Sequence, residues 1–196
     1  MKNDKVKRMV GIALLMAMVV VLQFIGSSIP PIGGMVSISL VLIPIVIGAA
    51  TYGVGAGAIL GGTFGVIATI GCVTGSDVGG AMVFQANPVL CILVVMGKGI
   101  LAGMASGAVY KLLKKANGYV AMLCAAIVCP VVNTGVFLIC MALFFMDVLT
   151  VWAAGKAVVA YVLSGLVLCN FLPELALNVV FSPAGQRIVQ LVKRGK

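Results

Sequence analysis

The chain has 196 residues, 63% of them hydrophobic and 9% charged, with a mean hydropathy of +1.28. Soluble domains are nearer half apolar and a quarter charged, so this composition excludes a water-soluble fold and gives room for about six membrane spans. The net charge of +9 comes from 13 Lys and Arg against 4 Asp and Glu; the cations sit at the ends of apolar runs, which reads as membrane topology and lipid headgroups rather than nucleic acid.

The first apolar run, 9–25, follows a basic stretch, as in a signal peptide. No convincing small-residue cleavage site with polar flanks comes after it, so it reads as a retained helix. Ala13 and Ala17 lie one turn apart on it, a spacing that suits either packing within a bundle or docking of a partner helix. The next runs, 37–51 and 54–73, are separated only by "TYG" and form a helical hairpin. Further runs fall at 88–113, 118–146 and 156–181. Their lengths predict an all-α integral membrane protein, a single six-helix bundle over residues 1–196.

Charge fixes the direction. With the N-terminus inside, Lys2, Lys5, Lys7, Arg8, Lys111, Lys114, Lys115, Arg187, Lys193, Arg194 and Lys196 are all cytoplasmic, and only Lys156 is outside. This asymmetry places both termini in the cytoplasm of a cell membrane protein. The connections "GSSIPPIGGMVS" and "TGSDVGGAMVFQANP" then face outward. Gly and Pro make them irregular, while Ile29, Ile32, Met35, Met82, Val83 and Phe84 suit segments that fold back over the outer mouth as a lid.

Glycines recur every four residues at 53, 57, 61 and 65, and again at 99, 103 and 107. Such ladders let helix backbones approach closely inside a bundle. The six cysteines lie in apolar segments without a CxxC pair, which reads as packing rather than a metal or disulfide site.

The informative residues are polar groups at depth. Lys98 interrupts "NPVLCILVVMGKGILAG"; Asn133 and Thr134 sit halfway along "CPVVNTGVFLICM"; Asn170 and Glu174 share a face of "LCNFLPELALN". A charge at bilayer depth costs at least ~2.5–3.5 kcal/mol and must face a partner or a cavity. Pro130 and Pro173 stand beside two of these groups, where a helix break would open space. Gln85 and Asn87 lie before the fourth span, near the same outer mouth. Together these seven residues are the candidate substrate-binding set. Lys98 has two prospective partners, Glu174 or a ligand anion. The inner halves of the spans read as nearly all apolar, which counts against a polar path through the bundle.

Absences narrow the chemistry. There is no histidine, which excludes histidine-dependent hydrolysis within the membrane. "MGKGI" lacks the Ser/Thr and the strand–loop–helix setting of a phosphate-binding loop. No enzyme activity, cofactor or metal is expected.

The runs "SLVLIPIVIGAATYGVGAGAILGGTFGVI" and "VVNTGVFL", the Ala13/Ala17 pair, the six spans and the basic cytoplasmic ends resemble the substrate-binding (S) components of energy-coupling factor (ECF) vitamin transporters. The resemblance implies high-affinity capture of a vitamin or precursor under the first outer loop. It also implies docking through the first helix, at Ala13 and Ala17, on a transmembrane coupling subunit carrying two ATPases. "VVNTG" and "LVLIPI" look most like pantothenate-type members, and Lys98 favours a carboxylate or phosphate ligand. Riboflavin, another small anionic precursor, or a self-sufficient transporter or channel are the alternatives.

Overall fold

The computed structural model describes residues 2–28 and 40–194. The described residues are helical with short connections: α1 Lys2–Ser28, α2 Leu42–Tyr52, α3 Val54–Thr74, α4 Val78–Ala86, α5 Pro88–Leu113, α6 Gly118–Phe144, α7 Met146–Ala153, α8 Val158–Tyr161 and α9 Leu172–Arg194. A wide π-type segment, Val162–Phe171, joins α8 to α9. The proline predicted to break the last span explains it. Pro173 has no amide to donate and crowds the carbonyl four residues back, so the preceding turns widen; the Leu172 amide reaches Val167 O.

Among the described residues, five helices are long and apolar enough to cross a membrane: α1, α3, α5, α6 and the α8–α9 unit, Val158–Val192. Helix α2, where a further span was expected, has 11 residues and is about 16 Å long, roughly half a hydrocarbon core. The predicted start of that span, residues 37–39, lies outside the described residues, as does most of the connection after α1, with Ile29, Ile32 and Met35 of the expected lid. Two connectors differ from expectation. "TGSDVGGAMVFQANP" holds the nine-residue helix α4, because the Asp77 carboxylate caps it by accepting from the Gly80 amide at 3.0 Å. The stretch after α6 folds into α7, with Asp147 in its first turn, where a carboxylate suits the helix dipole, and with buried Leu149 and Trp152 as anchors.

Apart from Gly53, which makes the α2–α3 turn and meets nothing within 4 Å, the glycine ladders interlock as expected of bundle packing. Gly57 lies against the backbone of Gly103, and Gly61 against that of Gly99. A Cβ on Gly65 would stand 2.8 Å from Met96 Cα, and one on Gly107 3.0 Å from Val54 Cα. Helices α3 and α5 therefore run antiparallel with backbones in contact. The core of Leu42, Ile45, Leu60, Phe64, Cys91 and Met122 fills the space around them.

Candidate functional site

The close α3–α5 seam fixes where Lys98 projects. Gly99 is held against Gly61 and Phe64, while Gly97 borders open space. The Lys98 ammonium extends over two aromatic rings, 4.7 Å from the Phe137 centroid and 5.6 Å from that of Phe64. Each ring contributes about 0.5–2 kcal/mol, so together they offset much of the insertion cost. The rings are thus a partner for the lysine that the sequence reading did not offer.

Five of the predicted residues converge. Lys98 of α5, Asn133 and Thr134 of α6, Asn170 of the π segment and Glu174 of α9 line one cavity with Phe137 and Leu166. Its volume is about 20 Å³, room for a water molecule or so. Asn133 and Glu174 are buried, and Asn133 Oδ1 has no hydrogen-bond partner among the described residues. An acceptor buried without a partner costs about 1–3 kcal/mol, which a bound donor would recover.

A second cavity of about 30 Å³ adjoins the first. Ala68, Cys72, Val83, Val94 and Trp152 give it an apolar wall, and Asp77 and Gly80 close it at the start of α4. Lys98 and Phe137 line both cavities and form the partition between them. Trp152 stacks on Phe137, centroids 6.5 Å apart and planes at 25°, so α7 and α4 both bear on this partition.

Gln85 and Asn87 do not line either cavity. Both are exposed. Asn87 is the N-cap of α5, its Oδ1 accepting from the Leu90 amide at 3.1 Å ahead of Pro88 at the first helical position. Ala13 and Ala17 are exposed on α1 beside Met9, Leu14, Met18 and Val21. They face away from the bundle rather than into it.

The apolar reading of the inner halves is overturned. Asn170, Glu174, Asn178, Ser182 and Gln186 are all buried, 2–7% exposed, at a strict four-residue spacing down one face of the last helix. Helix α5 reaches this face at two points, Lys98 at the cavity and Tyr110 further along. The Tyr110 hydroxyl donates to Gln186 Oε1 at 3.0 Å, and this pair has the same 76-residue separation as Lys98 and Glu174. Ser106 Oγ and Asn178 Oδ1 lack hydrogen-bond partners among the described residues. A line of buried polar groups therefore runs from the cavity along α9 toward its C-terminal end. The period was visible in the sequence, but Ser182 and Gln186 lie beyond 181, where the apolar run was taken to end.

No curated protein matches the chain in sequence. The family of ECF transporter substrate-specific components matches residues 7–184, nearly the whole bundle. The chain belongs to that family: it is a multi-pass membrane protein and the substrate-binding subunit of an ECF transporter, a transport component rather than an enzyme, which takes a small-molecule substrate and works with an ECF module.

Proposed function

We propose that this subunit captures a small vitamin or precursor with an anionic group, pantothenate foremost, at the outer face of the cell membrane. The observation that carries this reading is the convergence of Lys98 with Asn133, Thr134, Asn170 and Glu174 on one cavity that shares a wall with a second, more apolar one. At about 20 and 30 Å³ neither space holds a vitamin alone. Displacement of Phe137 and the Lys98 side chain would merge them into one pocket with a cationic, amide-lined end and an apolar end. Pantothenate has the matching chemistry: a carboxylate for Lys98, an amide and hydroxyls for the asparagines and Thr134, and a dimethyl group for the valines. Riboflavin would instead rely on stacking against Phe137 and Trp152.

The topology that goes with this reading has six spans, the second completed by residues before α2, and both termini cytoplasmic. The distribution of eleven cations on one side and Lys156 on the other supports it. Exposure of Ala13 and Ala17 on the lightly buried α1 supports docking of the coupling subunit there, with two ATPases behind it. The polar seam along α9 favours a second reading, passage of the solute through the bundle without a module.

The identity of the substrate is tested by thermal unfolding of the purified subunit against a panel of B vitamins and their precursors. Pantothenate is expected to raise the midpoint at micromolar concentration, since ligand at 100 times Kd adds about 2.7 kcal/mol. A shift with riboflavin alone would transfer the assignment to it. No shift with any anionic member of the panel would remove the reading.

A further inference from the structure

We propose that the apolar end of the pocket is a hydroxyl-binding subsite, in which Trp152 donates its indole N–H to the substrate. The inference rests on the merged pocket proposed for this subunit. It narrows the ligand to an anion that carries an alcohol on its branched apolar end.

Trp152 is firmly placed. Its ring stacks on Phe137, and it is only 3% exposed. Helix α7 stops directly after it, where Ala154 and Gly155 turn the chain at φ 48° and 84°. The indole lines the second cavity, and its Nε1 is buried without a hydrogen-bond partner among the described residues. An indole N–H can only donate. Burying it unpaired is costly, so an acceptor brought into this cavity by a ligand is favoured.

The other polar groups of the cavity select the kind of acceptor. Cys72 and Cys91 offer thiols, which are weak partners. Asp77 brings a carboxylate, with one oxygen held by the Gly80 amide at 3.0 Å. That charge opposes a second anion at this end. A neutral hydroxyl satisfies both neighbours, because it accepts from the indole and can donate to a carboxylate oxygen. Pantothenate carries such a group in the required place. Its terminal hydroxymethyl is bonded to the dimethyl carbon, so it enters the apolar cavity with the methyls while the carboxylate stays at Lys98.

The test compares pantothenate with its deoxy analogue, in which the terminal hydroxymethyl is a methyl, on the full-length subunit and on Trp152→Phe. Phenylalanine keeps an aromatic ring beside Phe137 and removes the N–H. Calorimetry on the native protein should show a preference for pantothenate of about tenfold, the worth of one hydrogen bond, and Trp152→Phe should bind the two within about twofold. Trp152 is the single tryptophan of the chain, so the indole N–H band of the ultraviolet resonance Raman spectrum reads the bond in the native protein itself. That band should shift toward a stronger hydrogen bond with pantothenate and stay in place with the analogue. Binding of riboflavin without pantothenate would remove the anionic-precursor reading alone. The ribityl hydroxyls then stand in for the hydroxymethyl, lumiflavin, which lacks them, replaces the analogue, and a gap that closes in Trp152→Phe still supports the subsite. The same preference in Trp152→Phe as in the native protein, or an indole band unmoved by every vitamin of the panel, would overturn the proposal.

Discussion

Lys98→Met is expected to weaken binding of an anionic substrate about 10- to 100-fold, the worth of one hydrogen bond to a charged group in a dry site. Methionine keeps the length of the side chain and can still pack on Phe64 and Phe137, so the effect isolates the charge. Lys98→Arg is expected to lose less, because it preserves the cation over the two rings. Lys98 is half-buried and methionine keeps the contact with the two rings, so the unliganded protein should not be strongly destabilised by Lys98→Met. Titration calorimetry on the purified subunit measures the affinity, and the unfolding midpoint without ligand measures the stability. Native affinity in Lys98→Met would place the substrate's anion elsewhere.

Gly61→Ala is expected to destabilise the bundle by about 1–3 kcal/mol and to weaken substrate binding as well. The added carbon meets the carbonyl oxygen of Gly99, which is backbone and cannot rotate away. Helices α3 and α5 must separate, and Lys98, the residue before Gly99, moves off the rings. Gly62→Ala is the matched control. Its Cβ stands 3.7 Å from the Ile100 side chain, ordinary contact, so it should be neutral or stabilise slightly through the lower entropy of the unfolded chain. Unfolding midpoints of the two variants in the same detergent check the contrast. Equal behaviour would mean that the glycine ladder does not set the spacing of α3 and α5.

The features legible in the sequence were those that membrane physics makes costly or periodic. Lys98, Glu174 and the deep asparagines stood out because an apolar span tolerates few such groups, and they share one cavity. The glycine rows stood out by period and, Gly53 aside, are in backbone contact. Phe64 and Phe137 did not stand out, because an aromatic in an apolar helix carries no signal until its ring is found under a cation. Asn87 sat beside Pro88 and read as part of a mouth, although Asn before Pro at a helix start is a capping pattern. Helices α4 and α7 were hidden because glycine-rich or short apolar connectors resemble loops; the Asp77 cap and buried Val83 make α4 a helix, and buried Leu149 and Trp152 anchor α7. The end of the last helix was misplaced for a different reason. Hydropathy falls after 181, but Ser182 and Gln186 continue the buried face begun by Asn170.

That buried polar face makes the division of labour between this subunit and its module the point most worth testing. The subunit reconstituted alone in liposomes with radiolabelled substrate, and again with a complete ECF module and ATP inside, gives the comparison. Saturable binding with no accumulation by the subunit alone, and accumulation only with module and ATP, is the expected result. Accumulation by the subunit alone, reduced when Asn178 or Gln186 is replaced by leucine, would contradict it and make the seam along α9 the route of transport.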